Sequence, residues 1–158
     1  MFHRNSIKIA LVLMATLACA AAAKPNFSGE WKLNPQKSDF GPMPAPDSAT
    51  LKIDHNEPEL KVSSTTATAQ GEMKNDAKYT TDGKECTNTM GPMQVKSTAK
   101  WEGDELAMSG KMEFNGMEIT MKGKWVLSAD GKTITQTSHL VSPQGEIDMK
   151  AVYEKQTK

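Results

Sequence analysis

The sequence predicts an all-β fold, a single antiparallel up-and-down barrel of about ten strands. Three observations predict it. Between turns, apolar residues alternate with polar ones at a period of two and not of 3.6. Turn signals recur at short, even spacing from residue 57 onward: Glu57-Pro58-Glu59, Asp82-Gly83, Gly91-Pro92, Gly103-Asp104, Asn115-Gly116, Asp130-Gly131 and Ser142 to Gly145. Asn-Gly and Asp-Gly tolerate the positive φ that a tight hairpin needs. No stretch after Ala23 reads as a helix.

The strands are clearest late in the chain. Leu106, Met108, Gly110, Met112 and Phe114 share one face, with Ser109, Lys111 and Glu113 opposite. After Asn115-Gly116, Ile119, Met121, Gly123, Trp125 and Leu127 share a face, against Glu118, Thr120, Lys122 and Lys124. Ile147, Met149, Ala151 and Tyr153 repeat the pattern at the end. Val95-Ser97-Ala99-Trp101, Leu60-Val62, Leu51-Ile53 and Phe27-Gly29-Trp31-Leu33 agree with it earlier. Each strand has one dry and one wet face, as an antiparallel sheet around a single core requires. A meander this long closes on itself, since closure removes exposed edges. Pro35 to Ser48, with Pro42, Pro44 and Pro46, is the long exception, an extended and irregular loop.

Ahead of the barrel stands a leader. Arg4 and Lys8 precede the apolar run Ile9 to Leu17, which leads into the small residues Ala18 to Ala23. These are the three parts of a secretory signal peptide, expected over 1–23, with the barrel domain over 24–158. The apolar run is too short to span a membrane, which takes ~20 residues. The expected location is therefore secreted or periplasmic. Thr16-Leu17-Ala18-Cys19 also resembles a lipobox with a lipid anchor at Cys19, though Thr16 stands where such motifs carry an aliphatic residue.

Composition excludes several functions. Arg4 is the only arginine, and from residue 24 onward 17 lysines face 19 acidic residues. That balance is no nucleic-acid footprint, which needs a clustered positive face. Without arginine, the planar fork that grips carboxylates and phosphates is missing too. Beyond the leader only Cys86 remains, so no internal disulfide is available. His55 and His139 lack the flanking motifs of nucleophilic catalysis and read as solvated strand residues. No His/Cys spacing suggests a metal site. The expectation is a protein that is not an enzyme and carries neither metal nor cofactor.

The dry face carries the functional signal. Met108, Met112, Met121 and Met149 alternate there with Ser97, Ala99, Gly110, Gly123 and Ala151. Two readings follow. Methionine plugs irregular gaps in a filled barrel, or it lines an apolar cavity left open by the small residues. Strand periodicity does not choose between them.

Phe27-Ser28-Gly29-Glu30-Trp31-Lys32-Leu33 resembles the opening strand of the calycins, the lipocalins and intracellular fatty-acid-binding proteins, where Gly-x-Trp closes one end of the barrel. Val152-Tyr153-Glu154-Lys155 is similar to the last strand of fatty-acid-binding proteins. Within that group the chain looks most like the lipocalin-like domain of small exported bacterial proteins. The resemblance implies a small hydrophobic ligand inside a barrel closed by Trp31 and Tyr153 and lined by Met108, Met112, Met121 and Met149. Gln136, Ser138 or Ser97 would supply polar specificity. Two departures matter: Ala151 stands where fatty-acid-binding proteins carry the arginine of Arg-x-Tyr, and the proline-rich loop replaces their helical lid. The alternative is a filled barrel acting through its surface, with Gly41 to Ser48 as the contact loop.

Overall fold

The computed structural model describes residues 23–157. The leader expected at 1–23, with Cys19, lies outside them except for Ala23. Ten strands follow one another: β1 Gly29–Leu33, β2 Ser48–Asn56, β3 Glu59–Thr68, β4 Gly71–Thr80, β5 Cys86–Met90, β6 Met93–Glu102, β7 Glu105–Phe114, β8 Met117–Leu127, β9 Thr133–Ser142 and β10 Gly145–Lys155. All pairings are antiparallel. The sheet runs β4-β3-β2-β1-β10-β9-β8-β7-β6-β5, so the first and last strands of the chain lie side by side within it. No described helix is long and apolar enough to cross a membrane.

Register sets what faces inward. Leu106, Trp125 and Gln136 stand in one row across β7, β8 and β9, and Ala151 of β10 continues it. Met108, Gly123, Ser138 and Met149 form the next row. Both rows obey the two-residue period of the sequence, which is why charged residues alternate outward from the same strands.

The ten strands form the expected up-and-down barrel, nearly closed, with one gap in its ladder. β4 and β5 are the two ends of the sheet and share no ladder. Side chains stitch the seam between them. Asn88 of β5 accepts from the Lys78 N–H at 2.7 Å and donates to the Lys78 carbonyl at 3.0 Å, so one amide stands in for a strand residue. Past Thr80, the Gly83 N–H reaches the Ala99 carbonyl at 2.9 Å and ties the β4–β5 connection onto β6.

The proline-rich loop is more ordered than expected. Pro35–Lys37 forms one 3-10 turn, capped by Asn34 Oδ1 accepting from Gln36 and Lys37. Asp39 then exchanges two backbone hydrogen bonds of 2.7 Å with Lys150. The loop thus continues along β10 where the short β1 has ended. Its longest exposed run is the distal part, from Gly41 through Ala45.

At Gly123 the sheet coils so sharply that there is no room for a side chain. A Cβ there would lie 2.0 Å from the Thr137 carbonyl oxygen. Gly110 shares the dry face, but its Cβ would meet side-chain atoms at 3.6 and 3.7 Å and the Lys96 carbonyl oxygen at 3.9 Å, all ordinary contact distances. Equilibrium urea unfolding should therefore show Gly123→Ala losing at least ~1–3 kcal/mol, the usual cost of overpacking, while Gly110→Ala loses less than ~1 kcal/mol.

Candidate functional site

The two ends of the barrel differ. Beneath one end, Phe27 is fully buried as a plug ahead of β1. Its ring stacks on Trp101 at 5.8 Å and on His55 at 5.7 Å, and meets Trp125 edge-on at 5.9 Å. Trp31 Nε1 donates to the Phe27 carbonyl at 2.9 Å. Leu60, Leu106 and Ile134, all fully buried, complete the packing. This end is a conventional core of large apolar residues.

His55 corrects its sequence reading. It is 4% exposed, not solvated, because the plug and Trp101 cover it. The Phe27 N–H donates to Nδ1 at 3.2 Å, so the ring proton sits on Nε2 and faces Glu57 Oε1 at 2.9 Å. Trp101 Nε1 also donates to that oxygen at 2.7 Å, and the Thr81 hydroxyl donates to Oε2. Burial works to raise the Glu57 pKa, but the bonds from Thr81, Trp101 and His55 outweigh it and hold the carboxyl below its ordinary value. Every polar atom of the pair is engaged, so this His–Glu contact clasps the plug to the strands around it. His139 is half-exposed and faces Asp148 at 2.7 Å on the outer surface.

Toward the opposite end the interior loosens. A cavity of about 80 Å³ lies beneath it, bordered by Met90, Met108, Met121, Tyr79, Asn75 and Ser97, among others. Burial holds the Tyr79 phenol protonated by pushing its pKa up. Above the cavity the inward faces become half-buried and then exposed, ending at Phe114 (43% exposed) and Met73 (63%). Of the nine methionines among the described residues, eight occupy inward positions: Met73, Met90, Met93, Met108, Met112, Met117, Met121 and Met149. The ninth, Met43, sits on the proline-rich loop. This end is an open mouth with a thioether lining.

The six residues expected at the site divide between these regions. Trp31 and Tyr153 lie in the core of the closed end, on adjacent strands β1 and β10. Met108 and Met121 border the cavity. Met112 and Met149 face inward beside it and are half-buried, but do not line the enclosed volume. Ser97 is buried against the Asn88 amide at 3.5 Å. Gln136 has its Nε2 buried without a hydrogen-bond partner, an arrangement that costs ~1–3 kcal/mol if nothing fills it. Sequence reasoning missed Met73, Met90, Met93 and Met117, although their alternation across the turns at 69–70, 91–92 and 115–116 was there to be followed.

A larger depression of about 550 Å³ lies outside the barrel, over β6 to β9, with Lys100, Lys122 and Lys124 on its walls. It is a shallow groove on the wet face. Lys124 is already held by Glu105 at 2.7 Å and Glu102 at 3.5 Å. The interior, and not this groove, combines apolar walls with inward polar groups. Among the described residues no cluster of His, Cys, Asp or Glu could hold a metal ion.

No protein-family profile matches this sequence, and no curated protein does. Solved structures do match. A zebrafish ileal bile acid-binding protein complexed with cholic acid aligns with a TM-score of 0.58 at 19% identity, over 82% of this chain and 98% of that one. A secretory abundant heat soluble protein of Ramazzottius varieornatus reaches 0.60 at 14% identity, over 85% and 97%. Fatty-acid-binding protein 1 of Echinococcus granulosus reaches 0.51 at 14%, over 83% and 98%. The shared feature is the fold, an up-and-down calycin-type barrel of ten antiparallel strands.

The clasp at the closed end has a pH signature. Because the folded Glu57 pKa is depressed, its contribution is complete above the unfolded value and is lost as pH falls through the folded one. In thermal melts Glu57→Gln should fall below the parent at neutral pH. The gap should narrow as the pH drops below ~4.3, the ordinary glutamate value.

Proposed function

We propose that this protein is an exported carrier that holds a small hydrophobic molecule inside the barrel, entering through the methionine-lined mouth. The observation that carries the proposal is the uneven filling of the shell. One end is packed with large side chains down to a fully buried Phe27, and the other is lined by methionine and small residues around a cavity. Methionine has three rotatable bonds and a polarisable sulfur, so it adapts to a guest without strong directional demands. The cavity is small beside the ~300–1,000 Å³ of typical ligand sites, so a guest would also occupy the mouth above it and push Met108 and Met121 aside. Each Å² of apolar surface covered in this way is worth ~25 cal/mol.

The matching folds support this reading as analogues whose names record a bile acid and fatty acids as ligands. Export rests on the leader at 1–23 and places the carrier in the periplasm or outside the cell. Binding is favoured over catalysis because buried His55 and its exposed partner Glu57 are engaged in holding the plug. The modest enclosed volume favours one second reading, a filled barrel that acts through its surface.

Organic extraction of the purified protein followed by mass spectrometry should reveal a co-purified apolar molecule. In parallel, the hydrocarbon dye diphenylhexatriene should bind with a rise in its fluorescence and altered emission from Trp101 and Trp125. Lys122→Ala on the outer groove should leave that titration unchanged. A protein that yields no extractable ligand and ignores the dye would establish the filled barrel instead.

A further inference from the structure

The inward surface of the barrel carries almost no charge. Every Asp and Glu in the ten strands occupies an outward position, as does every Lys except one. The exception, Lys155, is the last residue of β10. It is exposed at the closed end, with its ammonium 5.2 Å from the Trp31 ring centroid, far along the strand from the mouth. His55 is also at the closed end and both its ring nitrogens are engaged. The polar groups that remain inside are neutral, among them Asn75, Tyr79, Asn88 and Ser97 around the cavity, Ser138 beside it, and Gln136 one row deeper.

From this we infer that the barrel selects uncharged ligands bearing a hydrogen-bond acceptor, such as a long-chain alcohol, ester or ketone, and rejects the corresponding carboxylates, with Gln136 donating to the acceptor oxygen. The inference rests on the carrier reading and narrows it to a chemical class. A carboxylate drawn inside would shed its hydration and find no cation in return, a penalty that neutral donors do not offset. A neutral oxygen loses far less. It also has a waiting partner, because the buried Gln136 Nε2 lacks an acceptor. Gln136 is flanked in register by Trp125 on β8 and Ala151 on β10, so nothing charged competes for it across the row.

Displacement of bound diphenylhexatriene by three ligands of one chain length tests the idea: dodecanol, methyl dodecanoate and dodecanoic acid, the acid ionised at about pH 8. The alcohol and ester should displace the dye at concentrations about tenfold lower than the acid. Lowering the pH until the acid is protonated should bring it into line with the alcohol. Gln136→Leu should weaken alcohol and ester about fivefold while the hydrocarbon dye, which has no acceptor, binds as before. Ala151→Arg, placing a cation opposite Gln136, should raise affinity for the acid. If dodecanoate competes as well as dodecanol at the higher pH, the selectivity is refuted and the carrier reading stands. If the dye never binds and no ligand protects the protein from thermal unfolding, the carrier reading falls and this inference falls with it.

Discussion

The two-residue alternation of side chains around a strongly coiled sheet is the constraint on which the rest of this molecule depends. A strand has only two faces, and a rounded shell turns one of them toward a shared interior along every strand at once. Any odd shift in register would carry lysines and glutamates inside and methionines out. The neutral interior is a consequence of that geometry. So is the close approach at Gly123, where the Thr137 carbonyl oxygen lies 2.0 Å from the position a Cβ would take.

Within this shell, residue size divides the interior into two regions. Tryptophan, phenylalanine, leucine and isoleucine fill one end, and a short segment ahead of β1 seals it from below. The seal is polar as well as apolar. Phe27 is held through its own backbone N–H by His55, which is in turn bonded to Glu57, and Glu57 gathers Trp101 and Thr81. Three remote segments, at Phe27, Thr81 and Trp101, are thereby tied to the short stretch that carries His55 and Glu57. Among the described residues the other end has no such clasp, and its inward side chains are more exposed.

Much of this was legible in the sequence because β7, β8 and β10 carry strict alternation between unmistakable turns. β4 was harder to see. Its inward residues Met73, Asn75, Ala77 and Tyr79 mix polar with apolar because the first part of the strand lies at the wet mouth, and its turn at Ala69-Gln70 carries no Asn-Gly or Pro signal. His55 was misread because what buries it, Phe27 and Trp101, comes from remote parts of the chain. The seam between β4 and β5 was invisible for a related reason, since a missing ladder leaves no mark on hydrophobic periodicity. The site was read in outline from four methionines. The other four flank turns, where an apolar residue looks incidental until the rim is assembled.

The placement of β1 between β2 and β10 has a consequence for how the molecule acquires its shape. Trp31 sits opposite Lys155, so the earliest strand made waits for the last before its second edge is satisfied. Joining such distant partners carries the full loop-closure entropy of the chain and belongs among slow, non-local folding events. Hairpins from β6 to β10 can zip successively as neighbours, but the two runs of strands join into one sheet only when β1 meets β10. Until β10 is in place, the strands therefore remain two open ribbons with no shared interior to enclose.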